Sequence, residues 1–139
     1  MKNKGLFSSL DQNWTTPKDF YNGLNKEFSF DFDPCPNNPN FNGLEIEWGK
    51  SNYINPPYKT KLQDAFVKKA VEESNKGKIC VMLLPARTGT KRFHELILPN
   101  AQEIRFLKDR LCFGDNKKRA PFDSMVIVFN GVGKANNEN

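Results

Sequence analysis

The sequence predicts an α/β domain built on a short sheet, and three observations predict it. Residues 79–84 and 125–129 are uninterrupted apolar runs, too short for free-standing helices, and read as strands covered on both faces. Segments with helical spacing of apolar residues lie between the strand-like runs, so strands and helices alternate. The last two strand-like runs, 103–107 and 125–129, have no helical pattern between them, which predicts a closing antiparallel hairpin on an otherwise mostly parallel sheet. A chain of 139 residues is long enough for one domain around a single core.

The elements follow in order. Residues 1–13 read as a flexible arm, 14–130 as the domain and 131–139 as a polar tail. Thr16-Pro17-Lys18-Asp19 predicts a helix start: Thr16 as N-cap, Pro17 at the first helical position, Asp19 completing a capping pattern. Phe20 and Leu24 fall on one face, and the helix is expected to end near Glu27. Residues 28–33 alternate apolar and polar, the period of a strand, and Pro34 ends it. Residues 44–48 have the composition of a short strand. Between 61 and 76, Leu62, Ala65, Phe66 and Ala70 recur at helical spacing, with Gly77 placed to stop the helix. Residues 90–98 predict a further helix with Phe93, Leu96 and Ile97 inward. The 125–129 run, apolar throughout, is expected to be central.

Composition narrows the function classes. No run approaches bilayer length, and the N-terminus carries positive charge without an apolar stretch behind it, so neither a membrane span nor a signal peptide is expected and the cytoplasm is the default location. Three separated cysteines and one histidine provide no zinc spacing and no triad partner, so no metal is expected, Cys80 is expected in the core and His94 on a helix surface. The net charge of +5 is compatible with a polyanionic partner without establishing one.

The chemistry concentrates in Asn55-Pro56-Pro57-Tyr58, which follows the strand-like Ser51-Asn52-Tyr53-Ile54. The Asn55 side-chain oxygen can accept one N–H of an exocyclic amine and the Pro56 carbonyl the other. The prolines stiffen the segment and remove donors from it. Tyr58 offers a flat face for a base. Such a site leaves an amine lone pair aimed at an electrophilic methyl group. Pro-Pro after a strand is also a common turn. The strand before it, the helix after it and the acidic strand end upstream favour the functional reading. In open α/β sheets ligands sit at the C-terminal strand edge, and Asp33-Pro34 and Asn55-Pro56-Pro57-Tyr58 both fall there.

With these residues in view, the chain resembles the phage-type DNA N-6-adenine methyltransferases, the Dam-like family, from about Asn13 to Phe129. The resemblance rests on Trp14-Thr15-Thr16-Pro17, Phe30-Asp31-Phe32-Asp33 and the Asn-Pro-Pro-Tyr segment. It continues through Leu83-Leu84-Pro85-Ala86-Arg87-Thr88, Arg110-Leu111-Cys112-Phe113-Gly114 and Ala120-Pro121-Phe122-Asp123. It implies an abbreviated, Rossmann-like, S-adenosylmethionine-dependent methyltransferase sheet acting on N6 of adenine in DNA. Carried over, Asn55, Pro56, Pro57 and Tyr58 are catalytic. Trp14, Thr16, Pro17, Asp31, Asp33 and Pro34 fall to cofactor binding, with Thr16 and Pro17 in the segment that closes over the methionine part. Arg87 is expected to contact DNA or close the cofactor pocket. Lys108, Arg110, Lys117, Lys118 and Arg119 cluster around the late hairpin, where a basic loop can track phosphates or simply be solvated.

One departure stands out. Only 21 residues, Pro34 to Ile54, separate Asp33 from Asn55, and a single βαβ crossover already takes about a dozen between its strands. One edge of the sheet is therefore expected to be short. The acidic residue for a ribose is unassigned, with Glu45 and Glu47 as candidates better suited to surface ion pairs. The alternatives that share the motif are methylation of cytosine N4, methylation of a protein glutamine amide, and a DNA-binding remnant without cofactor. The glutamine-modifying enzymes resemble longer chains with a glycine-rich first motif absent here.

Overall fold

The computed structural model describes residues 15–37, 39–114 and 119–131. Its sheet has four strands: β1 (Ser51–Ile54), β2 (Ile79–Pro85), β3 (Glu103–Phe106) and β4 (Ser124–Asn130), in the order β1-β2-β4-β3. Among the described residues three helices accompany them: α1 (Lys18–Phe28), α2 (Thr60–Ser74) and the short α3 (Arg92–Ile97).

The sheet is mixed rather than mostly parallel. β1 runs parallel to β2, while β2 with β4 and β3 with β4 are antiparallel. The β1–β2 crossover carries α2, as a parallel connection requires. β3 and β4 pair as the expected closing hairpin, and β4 is central. The 28–33 segment forms no named strand. It touches β1 through a parallel bridge, Phe32 to Asn52, supported by the Asp31 N–H on the Ser51 carbonyl and the Tyr53 N–H on the Phe32 carbonyl. Residues 44–48 form no strand: Trp48 turns inward, and its indole N–H donates to the Gly43 carbonyl at 2.7 Å.

Period-two alternation divides the core between two faces. Cys80, Met82 and Leu84 of β2, with Met125, Ile127 and Phe129 of β4, pack with Phe66, Val67, Ala70, Phe93 and Ile97 of α2 and α3. Val81, Leu83, Val126 and Val128 face the other way, toward Leu24 of α1 and Phe113. Both faces of the sheet are covered, which is why these strands are apolar throughout.

The helices obey their local signals with informative exceptions. Gly77, at φ 95°, takes the left-handed turn that ends the α2 segment. The buried stripe of α2 includes the expected Phe66 and Ala70, together with Gln63, Val67 and Glu73; Leu62 and Ala65 are half-buried. α3 is wound as a π-helix, the Leu98 N–H reaching the Phe93 carbonyl, with Phe93 and Ile97 inward and His94 exposed. α1 starts one residue later than predicted: Pro17 is the N-cap and no side chain caps the helix. The Thr16 hydroxyl is engaged elsewhere.

The end of the sheet away from Asn55 is pinned by a buried acid. Glu73 is fully covered and accepts Lys78 Nζ at 2.5 Å, Lys69 and Lys76 at 3.2 Å, and the Trp48 N–H at 3.2 Å. Burial pushes its carboxyl up, but these donors outweigh that and hold it at about 2. Glu47 pairs with Lys78 at 3.1 Å on the surface, the role expected for it.

Candidate active site

The topology collects the chemistry at one edge. The C-terminal ends of the 28–33 segment, β1 and β2 lie together, and the antiparallel β4 begins there because Pro85 pairs with Ser124. Asp33, Asn55, Arg87 and Phe122 converge on this edge although they span ninety positions of sequence.

Tyr53 and Asn55, two residues apart, leave the strand toward the α1 face. The Asn55 amide nitrogen donates to Thr16 Oγ at 3.2 Å, and Thr16 Oγ lies 2.6 Å from the Tyr53 hydroxyl. The Tyr58 hydroxyl donates to Asn55 Oδ1 at 3.4 Å. Pro56 and Pro57 are buried between these groups. The ring of Tyr58 leans on Phe122 at 5.5 Å and Phe113 at 6.3 Å, and the Arg87 guanidinium sits over Phe122 at 5.9 Å.

Two cavities meet at this motif. The smaller, about 220 Å³, is lined by Thr16, Tyr21, Asp33, Cys35, Tyr53 and Asn55, among others. The larger, about 460 Å³, is lined on the other side by Tyr58, Gln63, Arg87, Thr90 and Lys91, with Arg92 tied to Asp64 at 2.6 Å. Asn55 borders the first and Tyr58 the second.

Burial pushes the Asp33 carboxyl up to about 6, against one opposing hydrogen bond from the Cys35 N–H at 2.8 Å. Among the described residues no cation pairs with it. Burial also raises the phenols of Tyr53 and Tyr58 and the Cys35 thiol. These groups stay protonated near neutrality, so the site offers hydrogen-bonding groups and one carboxylate but no strong base and no thiolate.

Asp31 and Asp33 part company. Asp31 Oδ1 accepts the Ser51 N–H at 3.1 Å and Oδ2 the Lys50 N–H at 3.3 Å, at the far end of β1 from Asn55. A Cβ on Gly49 would come within 2.4 Å of Asp31 Oδ1, so that turn closes directly on the carboxylate. Asp33 alone opens onto the smaller cavity. Pro34 is buried behind it, with its carbonyl 2.1 Å from where a Cβ on Gly43 would stand. Pro17 begins α1 beside Thr16, and Trp14 lies outside the described residues.

Among the basic positions, Arg87 borders the larger cavity. Lys108, Arg110 and Arg119 are exposed on the hairpin side, Arg110 paired with Asp123 at 3.5 Å and Arg119 bridged to Cys112; Lys117 and Lys118 lie outside the described residues.

The amino-acid sequence around this Asn-Pro-Pro-Tyr turn matches a known family over nearly the whole chain. A model of the DNA N-6-adenine-methyltransferase (Dam) family covers residues 5–139. The chain belongs to this family. It is similar to the DNA N-6-adenine-methyltransferase of Escherichia phage T1, 30% identical over an alignment of 136 residues that covers 88% of this chain and 56% of that relative. The chain therefore spans little more than half the length of the relative. Tyr53 was not singled out in the sequence because its phenol reads as core. Its only local signal is its position, two residues before Asn55 on the same face of the strand. No described helix of this Dam-family chain is long and apolar enough to cross a membrane.

Proposed function

We propose that the protein is a site-specific DNA methyltransferase of phage or prophage type that transfers a methyl group from S-adenosylmethionine to N6 of adenine in DNA, acting in the cytoplasm. The observation that carries this reading is the Asn-Pro-Pro-Tyr turn itself, whose Asn55 borders a polar cavity with Asp33 while Tyr58 borders a second with Arg87 and Lys91. The mixed sheet is then an abbreviated methyltransferase sheet with one edge left short.

The residues of the smaller cavity suit the cofactor. Asp33 is half-buried and pairs with no cation among the described residues, and an ammonium group supplies one; the hydroxyls of Thr16 and Tyr53 are within the same cavity. S-adenosylmethionine supplies an electrophilic methyl on a sulfonium. The chain supplies position. Asn55 Oδ1 and the Pro56 carbonyl accept the two N–H groups of the adenine amine, so the lone pair is directed at the methyl carbon. As the N6–methyl bond forms and the sulfonium C–S bond breaks to leave a neutral thioether, these fixed acceptors would stabilise the positive N6, whose surplus proton then passes to solvent, so no general base is needed at the transfer itself. Adenine inside a duplex is out of reach, so the base leaves the stack and lies on Tyr58 in the larger cleft. Arg87 at the cleft and the hairpin cations contact phosphates.

Purified protein incubated with labelled S-adenosylmethionine and unmethylated DNA, followed by digestion to nucleosides, tests the proposal. Labelled N6-methyladenine is expected. Label in N4-methylcytosine would keep the mechanism and change the base. No label and no cofactor binding by calorimetry would leave a DNA-binding remnant. Asn55→Ala is expected to remove most transfer while cofactor affinity persists; wild-type turnover in that variant would sink the assignment.

A further inference from the structure

We infer that Tyr53 and Thr16 form a hydroxyl chain that sets which end of the Asn55 amide faces the reaction site, making Tyr53 a positioning residue. The inference rests on the reading above of Asn55 as the amine acceptor. An amide side chain has two ends of nearly equal shape and opposite hydrogen-bonding character. With Oδ1 outward Asn55 accepts from an amine. With Nδ2 outward it presents a donor to a donor, and the amine is refused.

Two hydroxyls hold the nitrogen inward. Thr16 Oγ receives Asn55 Nδ2 at 3.2 Å and shares its other hydrogen-bonding capacity with the Tyr53 hydroxyl at 2.6 Å. Tyr53 is itself fixed: its side chain is 2% exposed, T-shaped against Tyr21 at 5.1 Å and tilted on Phe30 at 5.4 Å. Asn55 and Tyr53 belong to one strand end, whereas Thr16 comes from the start of α1, so the chain ties two elements 37 residues apart.

A second observation is independent. The local sequence around Thr16 predicts a helix cap, yet α1 has no side-chain cap and the hydroxyl turns to Tyr53 and Asn55 instead. A broken local rule of this kind is expected where a site takes precedence over local stability.

The experiment combines steady-state kinetics with side-chain NMR of the cofactor-free protein. At saturating cofactor, so that any weaker cofactor binding by these cavity hydroxyls is set apart, Tyr53→Phe is expected to lower kcat by about threefold to tenfold and Thr16→Val by about tenfold, with Kd for DNA within about twofold of wild type. Thr16→Ser, which keeps the hydroxyl, restores most of the loss. The double variant Tyr53→Phe/Thr16→Val is no worse than Thr16→Val alone, because both substitutions break one chain. In ¹H–¹⁵N spectra the Asn55 Nδ2 resonances shift in Tyr53→Phe and Thr16→Val and return in Thr16→Ser. Additive losses, a loss confined to cofactor affinity, or Asn55 Nδ2 resonances that do not move would each overturn the inference. A wild-type protein that transfers no methyl to adenine would defeat the functional reading instead, and the spectra would still decide the chain.

Discussion

The Tyr58 hydroxyl donates to Oδ1 of Asn55 at 3.4 Å, using one of the two lone pairs of the acceptor that an incoming amine needs. Substrate takes the other lone pair or displaces this long contact. Tyr58→Phe removes the competitor and keeps the ring, so kcat/KM is expected to stay within about threefold of wild type. Tyr58→Ala removes the stacking face and is expected to lower kcat/KM by about tenfold to a hundredfold, since base stacking contributes about 1–3 kcal/mol. Equal losses in the two variants, measured by methyl transfer to DNA, would assign the role to the hydroxyl.

Asp33 gives the protein a pH dependence of known sign. Its folded value, about 6, lies above the ordinary 3.8, so the native state holds its proton more tightly than the unfolded state. That contribution to stability is fully present below pH 3.8 and is lost as pH rises through about 6. At full weight it amounts to about 2–3 kcal/mol. Denaturant unfolding of wild type and Asp33→Asn between pH 4 and 7 checks it: the variant should lack this decline. Affinity for an ammonium-bearing cofactor runs the other way, rising from pH 5 to pH 7 in wild type and flat in Asp33→Asn, as calorimetry would show.

Glu73 acts with the opposite sign and far from the site. Its carboxyl is held at about 2, below the ordinary 4.5, so its contribution is present above pH 4.5 and lost as pH falls toward 2. Glu73→Gln leaves Lys78 and Lys69 facing a neutral amide at a covered position. A loss of about 3 kcal/mol in urea unfolding is expected, with little effect on the kcat of the folded fraction. A variant as stable as wild type would show that the lysines are satisfied by solvent.

Arg87 and Arg110 should separate in DNA binding. Arg87 stands over Phe122 at the cleft, while Arg110 is paired with Asp123. Arg87→Ala is expected to reduce the salt slope of log Kd by about 1, the signature of one lost phosphate contact, and Arg110→Ala to change it by less. Binding isotherms at several salt concentrations measure both slopes.

Local chemistry makes part of this fold legible in the amino-acid order. The apolar runs of β2 and β4 announced strands covered on both faces, Gly77 stopped α2 because its φ of 95° suits glycine, and Asn55 to Tyr58 carried an amine-binding pattern within four consecutive residues. Cys80 in the core and the β3–β4 hairpin were legible for the same reason. The other outcomes emerge on folding, because they depend on partners distant in sequence. The alternating 28–33 segment looked like a full strand, yet it meets β1 through one bridge. Residues 44–48 suited a strand until the Trp48 indole found the Gly43 carbonyl. Asp31 and Asp33 share a motif and an alternating period, but backbone donors at Lys50 and Ser51 took the first and left the second in a pocket. Thr16 reads as a helix cap from its neighbours alone. Tyr53 and Asn55, 37 and 39 residues away, compete for the same oxygen, and in the folded chain they hold it.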